Sequence, residues 1–495
     1  MEGYEQGTGG YEVINLTYNG RLLLLRPAAL GKTFEGDCTV TVTQSQPPSP
    51  ENHWKRSQVQ VPCPMYWYDK DPVSNEEVFI TYAGYAPRII KGLEKLGVDI
   101  TYDDRRPCGL PEPTLGILKG IEWRYRQSEV FAGLLGQRGG IIKCPTGYGK
   151  SFLIRQLARV YPESKIVVTV TSLDVAKTLF EELKLTIPDL GFCGTGGQRP
   201  GRVTVAVSKS LEHCPRDANI VLCDEAHTLC TPSYIKLLNR FSRAKMFGFT
   251  ATPTGRSDNA DGFLEAIFGP IISDVSYQEG VTHGNIVQIG ARIYRSPLGP
   301  DVSGISNKAT ADRLGIIRNN DRNSLVVRAT RELEEELGPD AQILVMVDKI
   351  EHAYLLGQSL PEYTIVTGVM DKERIEELLA NGAMTKDQVL CTAKDREKYR
   401  LAFEANELKR VICTRVWEKG VDFRDLKGLV RADGLASPIA AGQIPGRLSR
   451  LAKTTDKTSG ILVDFFDSYS KNLLSRSRTR LREYKGNGWT IINKD

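Results

Sequence analysis

Ile141-Ile-Lys143-Cys144-Pro145-Thr146-Gly147-Tyr148-Gly149-Lys150-Ser151, followed by the helical run Phe152 to Val160, decides the fold of this chain. An apolar β-type run, a glycine loop and a helix, in that order, form the setting in which a phosphate-binding loop works. Gly147 and Gly149 let backbone N–H groups approach phosphate oxygens, and the helix N-terminus adds a favourable dipole. Lys150 is placed to neutralise the terminal phosphates of a nucleotide, and Ser151 to ligate Mg²⁺. Pro145, Thr146 and Tyr148 complete the loop and are expected to border the nucleotide. The strict pattern has glycine at its first position, where this chain has Cys144.

Working outward, Ile220-Val-Leu-Cys-Asp224-Glu225-Ala226-His227 is an apolar run ending in two adjacent carboxylates. Asp224 suits holding Mg²⁺, and Glu225 suits orienting and deprotonating an attacking water. Alone, an Asp-Glu pair at a strand end reads as a helix cap. Two β-type runs separate it from Lys150, which predicts neighbouring strands of one sheet. Gln127 stands just ahead of this region, and its amide matches the two-faced edge of adenine. Thr250-Ala-Thr252 ends the next β-type run and offers hydroxyls that couple a phosphate site to a moving part.

From Trp123 to about Val287, β-branched runs (Ile141 to Lys143, Ile166 to Val170, Val203 to Val207, Ile220 to Cys223, Lys245 to Thr250) alternate with helical segments. Such alternation predicts a parallel sheet covered by helices on both faces. The pattern repeats with Ile343 to Val347, Tyr363 to Thr367, Val411 to Thr414, Gly428 to Ala432 and Gly460 to Asp464. The fold class is therefore α/β, with two such domains in tandem behind a small α+β domain. The expected boundaries are 1–115, 116–286 and 287–486. In the first segment, Arg21 to Leu25 and Val78 to Tyr82 read as strands, Ala86 to Leu96 as a helix and Arg105 to Pro113 as a linker. The aromatics of Tyr66-Trp-Tyr68 read as core residues of a strand rather than base-stacking groups. Lys471 to Lys485 reads as a solvated helix with arginines on both sides.

The second repeat carries Gln443-Ile-Pro-Gly446-Arg447-Leu-Ser-Arg450, in which two arginines three apart face one way on a helix. They are candidates for fingers on a γ-phosphate. Upstream, Thr414-Arg-Val-Trp-Glu-Lys-Gly420-Val-Asp422 places a hydroxyl, a glycine turn and a carboxylate after a strand.

The totals agree with an intracellular globular protein. Its 495 residues are 41% hydrophobic and 25% charged, with 65 basic and 60 acidic side chains for a net +5. That charge is too mild to diagnose a polyanion partner by itself. The ten cysteines form no Cys-x-x-Cys pair, so neither a zinc site nor a disulfide framework is indicated. No run of about 18 apolar residues and no basic-then-apolar leader is present, and a cytoplasmic or nucleoid location without membrane partners is the expectation.

With these motifs in order over Trp123 to Leu451, the chain resembles a superfamily 2 helicase of the DEAH-box type. The resemblance implies two RecA-like lobes, ATP and Mg²⁺ as cofactors, and a nucleic-acid-dependent ATPase. It assigns Gln127 to adenine, and Gly147, Gly149, Lys150 and Ser151 to phosphate and metal. Asp224, Glu225, Ala226 and His227 become the named box, Thr250 and Thr252 the coupling motif, Gly420 and Asp422 the fifth motif, and Gln443, Arg447 and Arg450 the sixth. It assigns Val170 to Leu173, Val207-Ser208 and Thr367-Gly368 to the sugar–phosphate backbone, without base readout. Gly315-Ile-Ile-Arg-Asn-Asn-Asp-Arg-Asn323 and Leu96-Gly-Val-Asp-Ile-Thr-Tyr-Asp-Asp-Arg105 look similar to phage UvsW-type recombination helicases and their XPB-like relatives. That likeness implies a monomer acting on branched or duplex DNA, by fork reversal, branch migration or R-loop unwinding. The competing readings are an RNA helicase or restriction-type translocase with the same motor, and a non-catalytic ATP-sensing scaffold. Relics of that last kind usually lose Lys150, Glu225 or a finger arginine, all of which this chain retains.

Overall fold

The computed structural model describes residues 13–46, 57–107, 110–145, 147–195, 197–229, 231–253, 259–296, 298–417, 423–436, 445–452 and 455–494. These divide into two compact units: residues up to Cys144 with Lys150–Asp274, and Pro145–Gly149 with the chain from Val275 onward.

The first unit is built on an eight-stranded sheet. Its spatial order is Gly197–Arg199, Leu190–Gly194, Val203–Val207, Ile166–Val170, Ile220–Asp224, Lys245–Thr250, Gly139–Lys143 and Ile271–Asp274. Only the first of these is antiparallel to its neighbour. The central strands are apolar along their length because helices cover both faces of a parallel sheet. Ile166–Val170, for example, is buried at all five positions. One expectation is corrected here. The strand ending in Asp224 and the strand leading to Lys150 are not neighbours, because Lys245–Thr250 lies between them. Sequence separation does not specify insertion order in a sheet, and the inserted strand brings Thr250 between the two motifs.

The N-terminal segment forms a five-stranded sheet ordered Tyr66–Lys70, Glu77–Tyr82, Leu22–Arg26, Val13–Asn19, Asp99–Asp104, with only the last pair parallel. The helix Ala86–Lys95 packs Ile89 and Leu93 inward. This sheet shares one apolar core with the larger one: Leu23, Leu25, Phe79 and Ile89 join Leu238, Phe263, Leu264 and Ile267. Arg21, partly buried, donates to the carbonyls of Leu238 (3.1 Å) and Ile267 (2.6 Å). Tyr66 stacks on Phe79, but Trp67 and Tyr68 are 38% and 37% exposed. The core reading of that aromatic run thus holds for its first residue only, because Tyr66–Lys70 is an edge strand.

The second unit holds a seven-stranded sheet, parallel at every pairing, ordered Thr364–Val366, Arg410–Cys413, Gln342–Met346, Leu426–Arg431, Ser459–Asp467, Gln288–Ser296, Thr490–Lys494. Separate apolar clusters cover its two faces. The strands Gln288–Ser296 and Thr490–Lys494 escaped the sequence reading; the former mixes Arg292 and Arg295 into its apolar pattern.

The C-terminal helix Lys471–Gly486 is not simply solvated. Arg480 is 1% exposed and pairs with Asp464 at 2.8 Å, within a buried network that joins Arg322 to Asp467 and Arg431 to Asp433. Tyr484 links the two halves: its hydroxyl donates to Asp464 (2.7 Å) and accepts from Arg431 (3.0 Å). Buried charges survive only when paired and hydrogen-bonded; each of these arginines pairs with a carboxylate, and Arg480 Nη1 alone in the network is buried without a hydrogen-bond partner among the described residues.

Candidate ATP site

The carboxyl ends of parallel strands are where open α/β sheets bind ligands, and the motif residues of the first unit gather there. The helix Lys150–Val160 starts directly after a loop in which Gly147 and Gly149 have φ of 88° and 104°. Those left-handed conformations are cheap for glycine, which is why these two positions carry it. Lys150 Nζ lies 3.4 Å from Glu225 Oε1. Burial opposes the charge on Lys150, yet the carboxylates of Glu225 and Asp224 outweigh it and hold the ammonium above its ordinary pKa. The lysine therefore stays charged, as neutralising phosphate requires.

Glu225 itself sits at φ 50°, a costly conformation for a non-glycine residue. Its amide donates to Asp224 Oδ1 (3.0 Å), and its carbonyl accepts from the amide and hydroxyl of Thr228 (2.9 and 2.8 Å). These bonds turn the two adjacent carboxylates away from continued strand geometry. Thr228 was not singled out from the sequence; a hydroxyl three residues beyond the Asp-Glu pair is the signal that could have revealed it.

His227 is fully buried, with Nδ1 2.9 Å from Thr250 Oγ1 and 3.6 Å from Glu225 Oε2. Thr250 Oγ1 also accepts the Thr252 amide at 3.1 Å. Thr252 Oγ1 is buried without a hydrogen-bond partner among the described residues. A continuous line therefore runs from the phosphate lysine through Glu225 and His227 to Thr250 and Thr252. Burial pushes the Cys144 thiol up to about 12, so the residue replacing the loop's first glycine is neutral and inert.

The donor set fits Mg²⁺ and a triphosphate. Ser151 and Asp224 are the residues that would hold the metal, with phosphate oxygens and water completing a shell that Mg²⁺ rarely takes from protein alone. Gln127 begins the helix Gln127–Gly136 and is 2% exposed; its Oε1 accepts the Arg124 amide at 3.0 Å. That bond fixes the amide's orientation.

In the second unit, Arg447 and Arg450 fall on and just past a short 3₁₀ turn, Pro445–Ser449, whose three-residue period aligns positions three apart. Arg447 donates to the Trp417 carbonyl (2.7 Å) and lies over the Phe423 ring. Thr414 Oγ1 is buried and has no hydrogen-bond partner among the described residues. Thr146, Gly420, Asp422 and Gln443 lie outside the described residues. Of the residues assigned to a nucleic-acid backbone, Ser208 is buried and donates to the Val170 carbonyl (2.7 Å), and Ser172 caps the helix Leu173–Lys184. Thr367 donates to the Gly368 carbonyl (3.0 Å).

Residues 120–255, which carry Lys150, Glu225 and Thr252, match the family described as the res subunit of type III restriction enzymes. The chain is 22% identical over 376 residues to the DNA 3'-5' translocase XPB2 of Sulfurisphaera tokodaii, covering 72% of this chain and 84% of that protein. Among solved structures it is similar in fold to S. cerevisiae Dbp5 bound to RNA and ADP BeF3, with a TM-score of 0.52 and 15% identity over 77% of this chain and 93% of that one. The type ISP restriction-modification enzyme LlaBIII bound to DNA aligns with a TM-score of 0.53 and 12% identity, over 82% of this chain and 34% of that one. No helix among the described residues is long and apolar enough to cross a membrane.

Proposed function

The chain is a superfamily 2 helicase and an ATP-hydrolysing enzyme, and from that premise we propose that it moves along duplex DNA and remodels branched junctions. The observation that carries the reading is the line Lys150–Glu225–His227–Thr250, which joins a phosphate cation to a base and the base to a strand end. The sequence relative named as a DNA translocase supports DNA over RNA as the track.

In the proposed cycle, Lys150 and the loop amides hold the β- and γ-phosphates, and Asp224 with Ser151 would hold a Mg²⁺ ion, which would supply charge to offset those phosphates. Glu225 orients the attacking water and takes its proton. Arg447 and Arg450, with Gln443, act on the γ-phosphate from the second RecA-like domain, where a finger arginine contributes roughly 10³–10⁵ in rate. Gln127 reads adenine, and Gly420 and Asp422 serve the same nucleotide. Hydrolysis removes the group that these arginines attract, so a domain equilibrium biased by the γ-phosphate becomes a step. Residues 1–115 form an accessory domain to the motor, and the protein acts as a monomer.

The test is phosphate release by the full chain with no nucleic acid, single-stranded DNA, duplex DNA, forked DNA and RNA. Stimulation is expected to be greatest with forked or duplex DNA. Greater stimulation by RNA would make the chain an RNA helicase, and no turnover under any condition would make it a scaffold. Arg447→Ala is expected to abolish stimulated turnover while ATP affinity changes little.

A further inference from the structure

The helix Lys471–Gly486 has one face the motor cycle does not use. Arg478, Arg482 and Lys485 are all exposed, and none forms an ion pair or hydrogen bond among the described residues. Spaced i, i+4 and i+7, they project within an arc of roughly 60° and span roughly 10 Å of helix. Lys471 continues the line two turns earlier, where it faces Asp301. The helix's sole acidic residue, Glu483, lies off the line.

Like charges at this spacing cost a helix roughly 0.2–0.5 kcal/mol per pair. Among the described residues no carboxylate forms an ion pair with Arg478, Arg482 or Lys485 to offset that cost, which an external polyanion would. The opposite face is rigidly seated: Leu473 and Tyr484 are buried, Arg480 bonds Asp464, and Arg476 bonds Asp312 at 2.5 Å. Ser477 Oγ accepts the Asp467 amide at 3.0 Å. With its apolar side committed to the core, the helix has nothing to insert into a bilayer. What it presents is a fixed row of cations, suited to phosphates repeating along a strand at roughly 3.4 Å of axial rise.

We propose that Arg478, Arg482 and Lys485 form a second DNA-binding surface, separate from the motor motifs, that holds the sugar–phosphate backbone of a duplex. The proposal rests on the reading of the chain as a duplex-DNA motor. The surface reads no bases, because charges held in line on one helix face meet phosphates and not groove edges.

The test is fluorescence-anisotropy titration of the full chain with a labelled duplex at salt concentrations between about 50 and 200 mM. The variant Arg478→Gln/Arg482→Gln/Lys485→Gln is compared with wild type and with Arg478→Lys/Arg482→Lys. Each lost phosphate contact is expected to flatten the plot of log affinity against log salt by about 0.9, and to weaken binding roughly eightfold at 0.1 M salt. The lysine swap is expected to keep the wild-type slope and thermal midpoint, and the glutamine variant, relieved of like-charge repulsion, to melt no lower than wild type. An unchanged slope and affinity in the glutamine variant, with wild-type ATPase still stimulated by duplex, would overturn this surface and leave the motor intact. A wild-type chain that neither binds duplex nor is stimulated by it would overturn both. Loss of binding to phosphatidylserine vesicles, with duplex binding unaltered, would assign the face to a lipid surface and overturn the proposal.

Discussion

Glu225 concentrates the chemistry of the first unit. It neighbours Lys150 on one side and His227 on the other, and is held in a left-handed conformation by bonds to Asp224 and Thr228. Under the proposed role of Glu225 as base, Glu225→Gln keeps shape and removes proton acceptance, so turnover is expected to fall by roughly 10²–10⁴ while nucleotide affinity is retained; stopped-flow binding alongside steady-state phosphate release checks this. Thr250→Val removes a hydrogen-bond partner of the buried His227 Nδ1 and leaves the Thr252 amide without its acceptor. A loss of about 1–3 kcal/mol in urea unfolding is expected. That Lys150, Asp224, Glu225 and Thr250 sit at strand ends and at the start of a helix was legible in the sequence, because apolar runs and a glycine loop mark those places; the tasks given to them are the proposal above. Thr228 was not, because a threonine after a strand has many uses and only the backbone turn at Glu225 gives it this one.

At the level of elements, hydrophobic periodicity located most central strands to within a residue or two, Ile166–Val170 and Lys245–Thr250 among them. It missed Gln288–Ser296 and Thr490–Lys494 at one side of the second sheet, where Arg292 and Arg295 break the apolar run of the former. It also misread the C-terminal helix. Alternate arginines look alike in sequence, yet Arg480 is inside with Asp464 while Arg478 and Arg482 face water. A related buried site is His352 on the helix Ile350–Ser359, whose Nε2 lies 2.9 Å from Asn323 Oδ1. Burial, and then the nearby Arg322 guanidinium, lower its pKa from 6.5 to about 3. The folded state therefore excludes a proton that the unfolded chain binds below pH 6.5. The stability this residue contributes is complete above that pH and is lost as pH falls toward 3, at about 1.4 kcal/mol per unit. His352→Gln, which retains an amide donor for Asn323, is expected to show a shallower decline in urea midpoint between pH 6.5 and 5; a decline parallel to wild type would contradict it.

Across the whole molecule, the feature the sequence concealed most completely is the union of the N-terminal sheet with the first motor sheet. Pro-rich Arg105 to Pro113 reads as a linker between independent parts, but a linker in sequence says nothing about contact in space. Burial lowers the Arg21 pKa to about 10, and the guanidinium satisfies two carbonyls of the larger sheet's segments. Arg21→Met removes the donor to the Ile267 carbonyl, whereas the Leu238 carbonyl keeps the Phe241 amide, and is expected to cost about 1–3 kcal/mol; chemical unfolding of the full chain measures it. Fold class and the repeat of two sheets followed from alternation alone, whereas the sharing of a core between separate segments depends on pairings that no local pattern encodes. The claim on which the molecule's function turns is that ATP hydrolysis at Lys150 and Glu225 drives movement along duplex DNA. Displacement of a third strand from a DNA triplex, followed with ATP, without ATP and with the Glu225→Gln chain, measures that directly. Release of the third strand by wild type with ATP alone is expected; ATP consumption that never displaces the strand, or displacement by Glu225→Gln at the wild-type rate, would contradict it.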